Sequence, residues 1–155
     1  MTPRPARPSD ESAVVELTRR AYQPYEAVLG ITPMPVTEDY APRIANEEVW
    51  LLEDGNQPIG LIVLENHPDR SVLFSVAVAP ERQSAGIGRK LLSFAEDTAK
   101  QRGHRTLALY TNAKMERNIR IYSRCGYCET GRRAHPTRPG SVIVDMEKQL
   151  TGTSE

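Results

Sequence analysis

The sequence predicts an α/β (α+β) fold, a mixed sheet with helices on its faces. Three observations carry that reading. Runs of β-branched and aromatic residues alternate at period two, as in V-L-F-S-V-A-V at 72–78. Apolar stripes at helical spacing stand between the later runs, as at Leu91, Leu92, Ala95 and Ala99. Two earlier runs are joined by Asp54-Gly55, a hairpin signal, so meander strands precede strands separated by helices. The 155 residues suit one domain with a sizeable core, and no internal repeat is seen. Residues 1–150 are expected to form that domain, and T-G-T-S-E at 151–155 a frayed tail.

Taken in order, P-R-P-A-R at 3–7 reads as a short edge strand, where proline is tolerated. Ser9 or Asp10 caps the first helix, Glu11 stands in its first turn, and Ala13, Val14, Leu17 and Ala21 form its buried face. From 22 to 37 the pattern loosens. Pro24, Pro33 and Pro35 break any long helix there, and Gly30 ends a turn. So long an irregular stretch in a compact domain is usually functional or mobile. Thr37 is expected to cap a second helix through about Ile44, with Glu38 and Asp39 in its first turn and Pro42 shortening or kinking it. Residues 49–53 and 59–65 are the hairpin strands, and His67-Pro68-Asp69 turns the chain into the central strand, which Pro80 ends. Gly103 closes the long helix that follows. Residues 106–111 form a strand, 112–124 include a helix ended by Gly126, and 127–133 and 141–147 form a last antiparallel pair.

Charge excludes some partners. Twenty basic and twenty acidic residues cancel, which gives no reason for nonspecific binding to nucleic acid or an anionic membrane. No apolar run reaches membrane-spanning length and the first residues lack a signal peptide's apolar region, so a cytoplasmic protein is expected. The two cysteines, Cys125 and Cys128, are spaced C-x-x-C. A redox pair needs its reactive thiol at a helix N-terminus, whereas Cys125 falls near a predicted C-terminus. Zinc needs about two more ligands, and the three histidines are scattered. Structural or incidental thiols, and no metal, are the expectation.

The chain is organised around Gln83-Ser84-Ala85-Gly86-Ile87-Gly88, which joins the central strand to the long helix. The first N–H groups of a helix lack internal partners and carry partial positive charge. Gly86 and Gly88 let such groups approach a phosphate. Arg89 and Lys90 add charge at an end where the dipole disfavours it, so a bound polyanion would account for them. The plainer reading is a strand-to-helix turn that uses glycine for close packing. Neither the dinucleotide fingerprint G-x-G-x-x-G nor the P-loop G-x-x-x-x-G-K-[ST] is present.

The stretch V-A-V-x-P-E-x-Q-x-x-G-I-G-x-x-L-L resembles the acetyl-CoA signature of the GNAT N-acetyltransferases, with Gln83, Gly86 and Gly88 at the matching positions of [R/Q]-x-x-G-x-[G/A]. Downstream, T-N-A-K-M-E-R-N-I-R-I-Y-S-R-C-G-Y resembles the family's second motif, matched by Asn112, Met115, Asn118, Tyr122, Gly126 and Tyr127. On a helix Met115, Asn118, Tyr122 and Cys125 share one face. Without the first motif that helix would read as ordinary packing, with Tyr122 a core aromatic.

The resemblance covers roughly 50–150. It implies a mostly antiparallel sheet of about seven strands, about four helices, and a bulge that splays the fourth strand from the fifth into a V-shaped slot. The same resemblance implies acetyl-CoA as cosubstrate, held by Val76, Ala77, Val78, Gln83, Ser84, Ala85, Gly86, Ile87, Gly88, Arg89, Lys90, Asn112, Asn118 and Tyr122. It also implies that homodimers are common.

Acetyl transfer needs a neutral amine, an N–H for the carbonyl oxygen and an acid for the leaving thiolate. The backbone near Val76 or Val78 and the phenol of Tyr122 are the candidates. The route is direct attack in a ternary complex, because neither cysteine has a supporting histidine in sequence reach. The strand carries no carboxylate, so Ser75, Glu65 or Glu26 would serve as base through water. Tyr22, Tyr25, Glu26 and Met34 form the expected acceptor wall, and acceptor identity is assigned to 22–40 and 132–141. A small-molecule amine is the leading acceptor. A protein N-terminus or lysine, an acyl-CoA sensor without transfer, and a nucleotide-binding module are the alternatives.

Overall fold

The computed structural model describes residues 2–30, 32–83 and 85–150. Seven strands form one sheet, β1 (Arg4–Pro5), β2 (Val49–Asp54), β3 (Gln57–Asn66), β4 (Ser71–Val78), β5 (Thr106–Asn112), β6 (Cys128–Ala134) and β7 (Val142–Gln149). Their order is β1-β2-β3-β4-β5-β7-β6. Every neighbouring pair is antiparallel except β4 and β5. Among the described residues five α-helices flank the sheet, α1 (Glu11–Leu29), α2 (Met34–Thr37), α3 (Tyr40–Ala45), α4 (Ile87–Gln101) and α5 (Glu116–Arg124), one more than expected.

Period-two alternation divides the core between the two faces. Leu52, Ile62, Leu64 and Leu73 pack with Leu91 and Leu92 of α4. Their neighbours Leu51, Leu61 and Val63 pack with Val14 and Leu17 of α1 and with Ile44 of α3.

The sheet opens at its centre. Val63 pairs with Ser75 and Leu64 with Leu73, so Phe74 is the extra residue of a β-bulge. The parallel pairing of β4 with β5 covers only Ser71, Val72 and Leu73. Beyond Leu73 the two strands part, which is the splay that the sequence resemblance implied. Phe74 is fixed there by the Arg43 guanidinium, 3.9 Å from its ring centroid, and by Tyr110 packed edge-on at 6.5 Å.

Several local expectations are corrected. α1 does not loosen at 22 but runs to Leu29. Pro24 lies on its exposed side and removes only its own N–H, while buried Ala21 and Leu29 hold the flanking turns. Gly30 ends the helix in the left-handed conformation, φ 71°, its N–H donating to the Glu26 carbonyl. Thr37 is not the cap of the next helix. It lies in α2, and Asp39 caps α3, its Oδ1 accepting the Ala41 N–H at 3.2 Å. Asp10 precedes α1, yet its carboxylate turns back to accept the Arg7 N–H at 2.7 Å and to pair with Arg4. The tail at 151–155 lies outside the described residues. Among those described, no helix is long and apolar enough to cross a membrane.

Candidate active site

The loop after β4 is built by backbone chemistry. Gly86, the residue before α4, has φ 79°, a conformation strained for any side chain. Nothing lies within 4 Å of where its Cβ would stand, so glycine is required here by backbone angle and not by crowding. The Lys90 N–H bonds back to the Gly86 carbonyl at 3.1 Å. The N–H groups of Ile87, Gly88 and Arg89, one position earlier in the ladder, thus have no acceptor within the helix. The Gln83 side chain donates to the Val78 carbonyl at 3.3 Å, tying the loop to the strand end. Ser84 lies outside the described residues.

β4 presents its open edge to the same region. The Ala79 N–H donates to the Ile59 carbonyl of β3. Backbone groups alternate sides along a strand, so those of Ala77 also face β3, and those of Val76 and Val78 face the splay. The Val76 carbonyl accepts from the Tyr22 hydroxyl at 3.4 Å and that of Val78 from Gln83, both from the open side. The N–H groups of Val76 and Val78 point the same way, where β5 has already diverged.

Two hollows meet across this edge. One lies along the helix start, lined by Val78, Gln83, Gly86, Gly88, Arg89 and Arg117. The other runs between the splayed strands under the α1–α2 segment, lined by Leu29, Met34, Phe74, Ser75, His135 and Arg138. Tyr22, Val76, Asn118 and Tyr122 line both. Among the described residues neither lining contains a carboxylate.

The phenols at the junction are held neutral. Burial pushes the Tyr122 hydroxyl well above the ordinary phenol range, with smaller contributions from Tyr22, Tyr25 and Cys125. The Tyr122 ring packs edge-on against Tyr127 at 5.9 Å. Burial likewise raises Tyr22, partly offset by its hydrogen bond to Ser75. The Tyr22 hydroxyl lies 3.1 Å from Ser75 Oγ, and Ser75 is itself only 3% exposed.

The structure brings most of the sequence-derived set together and separates some of it. Gln83, Gly86, Gly88, Arg89, Asn118, Tyr122, Val76 and Val78 converge on the first hollow. Asn112 instead lines the second, its Oδ1 accepting the Lys114 N–H at 2.9 Å. Ala77 is 1% exposed and turned into the α1-side core. Ile87 sends its side chain to the α4-side core and contributes its N–H alone. Ala85 and Lys90 are exposed and line neither hollow. Tyr22 and Met34 wall the second hollow, while Tyr25 lines the first and Glu26 neither. Glu65 also lines neither, being held at 2.9 Å by both Arg43 and His67.

Three lining residues carried no local signal. Arg117 sits in the second motif at a position the pattern leaves free. His135 and Arg138 lie in the β6–β7 connection, inside the region assigned to acceptor identity but without any motif of their own. The Thr137 N–H donates to His135 Nδ1 at 3.1 Å, so in the neutral ring the proton sits on Nε2, 3.3 Å from Met34 Sδ.

A sheet split beside a helix N-terminus, with a basic cleft and a largely apolar hollow sharing one wall, is a site that can hold an anionic ligand and a second, less polar one side by side. Residues 13–127 match the profile of the Acetyltransferase (GNAT) family. The chain belongs to that family. It is 36% identical over 74 residues to the [ribosomal protein bS18]-alanine N-acetyltransferase of Escherichia coli strain K12, covering 46% of this chain and 50% of that protein. It is 32% identical over 91 residues to the Xenopus tropicalis protein named Probable N-acetyltransferase 14, covering 57% and 44%. The chain thus spans about half the length of the curated relatives it matches. In fold it is similar to the crystal structure of the Escherichia coli ribosomal-protein-S18-alanine N-acetyltransferase, with TM-score 0.77 at 24% identity over 99% of this chain and 96% of that one. The PaiA N-acetyltransferase from Thermoplasma acidophilum, solved in complex with coenzyme A, gives TM-score 0.73 at 21% identity over 96% and 98%.

Proposed function

We propose that the protein is a cytoplasmic acetyl-CoA-dependent N-acetyltransferase acting on a primary amine of a small molecule. The observation that carries this reading is the meeting of two hollows at Tyr22, Val76, Asn118 and Tyr122. One hollow suits a polyphosphate and a thioester arm, the other a largely apolar body bearing the nucleophile.

In this reading the N–H groups of Ile87, Gly88 and Arg89, with the charges of Arg89 and Arg117, hold the pyrophosphate. Asn118 orients the arm. The N–H of Val76 or Val78 stabilises the carbonyl oxygen as charge develops on it. The amine nitrogen bonds to the carbonyl carbon as the C–S bond breaks, and Tyr122 gives its proton to the departing sulfur. The amine's proton leaves through water at the Ser75–Tyr22 pair, because no carboxylate among the described residues lines either hollow. No acyl-enzyme forms.

The reading is tested by CoA release across a panel of amines, with product confirmed by mass. Thermal stabilisation by acetyl-CoA without release from any amine would instead establish an acyl-CoA sensor, and equal stabilisation by ATP a nucleotide-binding module. A second reading, transfer to a peptide α-amine, is supported by the 36% identity to the bS18-alanine N-acetyltransferase. A peptide beginning Ala, included in the panel, tests it.

A further inference from the structure

We infer that the acceptor hollow is built for an amine that also carries a carboxylate, an amino acid with an apolar side chain, and that Arg138 binds that carboxylate. The inference rests on the transferase reading above and names its substrate class.

Charge in the hollow is one-sided. Among its described lining residues are a guanidinium at Arg138 and an imidazole at His135, and no aspartate or glutamate. A polyamine or aminoglycoside would bring extra ammonium groups to a wall with no counter-charge and one fixed cation. Such a ligand would lose hydration without an ionic partner, which is the costly arrangement for any buried charge.

Arg138 differs from the arginines nearest it in sequence. Arg132 pairs with Glu129 at 2.8 Å and Arg133 with Asp145 at 2.8 Å. Arg138, half-buried at the hollow, has no carboxylate partner among the described residues. Its backbone is nevertheless fixed, since its carbonyl accepts the Ser141 N–H at 3.1 Å and closes the turn. A planar guanidinium with unused donors beside apolar walls matches a carboxylate in a bidentate pair.

The rest of the wall sets the body of the ligand. Leu29, Pro33, Met34, Phe74 and Ile143 are apolar and leave room for an aliphatic or aromatic side chain. Ser75, Thr111, Asn112 and Asn118 are short polar groups on the same wall, suited to an amine. Both ring nitrogens of His135 already have neighbours. Its Nδ1 is occupied by the Thr137 N–H and its Nε2 faces Met34.

The test uses acceptors that share a side chain and vary the carboxylate, namely leucine, leucinamide and isoamylamine, with spermidine as the cationic control and with concentrations expressed as neutral amine to remove differences in amine pKa. Initial rates of CoA release are measured with the wild-type protein and with Arg138→Gln. The expected result is a kcat/KM for leucine at least roughly tenfold above those for leucinamide, isoamylamine and spermidine, the scale of a hydrogen bond to a charged partner. Arg138→Gln should remove that preference through KM while leaving acetyl-CoA affinity unchanged. Equal or better turnover of leucinamide, or a preference that persists in Arg138→Gln, would overturn this inference and leave the transferase reading standing. Absence of CoA release from every amine would overturn both. Lost acetyl-CoA affinity in Arg138→Gln would mark the variant as globally altered, and Arg138→Lys, which keeps the charge, must then restore most of the leucine preference or the assignment fails.

Discussion

In the proposed mechanism Tyr122 is the acid that protonates the departing sulfur. Its ring lies at the wall common to both hollows, and burial keeps its proton on past the ordinary phenol value of 10. Tyr122→Phe removes one oxygen and keeps the edge-on packing with Tyr127. The expected loss in kcat is on the order of a hundredfold, or about 2.7 kcal/mol of transition-state stabilisation. Acetyl-CoA affinity, assigned in the proposed function to the helix-start amides, should stay within a few-fold by calorimetry. The sign of the pH dependence follows from the raised phenol: the acid form persists throughout the neutral and mildly alkaline range, so wild-type kcat should show no alkaline loss from this group below about pH 10. Near-wild-type kcat in Tyr122→Phe would reassign the proton to water. Tyr122 was legible in the sequence because its neighbours in the site, Asn118 and the glycine loop, are fixed by short local spacings. Tyr22 was legible as part of the acceptor wall, but its pairing with Ser75 was not, and Arg138 carried no motif of its own. The Tyr22 hydroxyl reaches Ser75, 53 positions away, and such a contact exists only after the sheet has formed.

At the scale of elements, α4 has to be both close to the sheet and open at its start, and separate glycines serve these demands. Gly60 on β3 allows the close approach. A Cβ there would stand 2.9 Å from Leu91 Cδ1 and 3.2 Å from Ile87 Cγ2, both from side chains buried in the core. Gly60→Ala should therefore destabilise the fold by roughly 1–3 kcal/mol, as overpacking does, and an unchanged thermal midpoint would refute that account. Gly86 and Gly88 act on the site. Gly86→Ala forces a left-handed alanine, costing about 1–2 kcal/mol, and tilts the free amides, so acetyl-CoA binding should weaken by roughly tenfold or more. Gly88→Ala meets only Val78 Cγ2 at 3.8 Å, so stability should hold while the added methyl intrudes on the cleft and weakens binding. Denaturant melts beside calorimetry separate the two outcomes. The pattern of α4 was plain in the sequence because its apolar stripe is helical for its whole length. The second half of α1 was hidden, since Pro24 suggests a break and only tertiary packing of Leu29 shows that the helix continues. The bulge at Phe74 was hidden too, because the period-two pattern of 72–78 runs through it without interruption.

The whole molecule joins these features through its buried phenols, and this links its folding to alkaline pH. Of six tyrosines, the five at 22, 40, 110, 122 and 127 are all held above the ordinary phenol value, with burial the leading cause in each. They lie on both faces of the sheet and along the splay: Tyr40 packs with α1 and β2, Tyr110 against Phe74, and Tyr127 donates to Glu96 at 2.9 Å beside Lys148. The direction of the linkage is fixed by the sign of the shift. Below pH 10 both folded and unfolded chains keep these protons, so the stabilisation is fully present. Above pH 10 the unfolded chain releases them while the folded chain retains them, and stability falls with rising pH toward the folded values. Each group adds to this fall until the pH reaches its own folded value, and burial acts in the same sense on all five. Unfolding is therefore expected on the alkaline side of pH 10. The expected observation is that phenolate absorbance and loss of far-ultraviolet ellipticity rise together in one cooperative step. Most of the phenolate signal should be missing while the fold is intact. Tyrosinate appearing to its full extent near pH 10 with the ellipticity unchanged would show that these rings titrate freely in the native state, and that burial does not couple them to the fold.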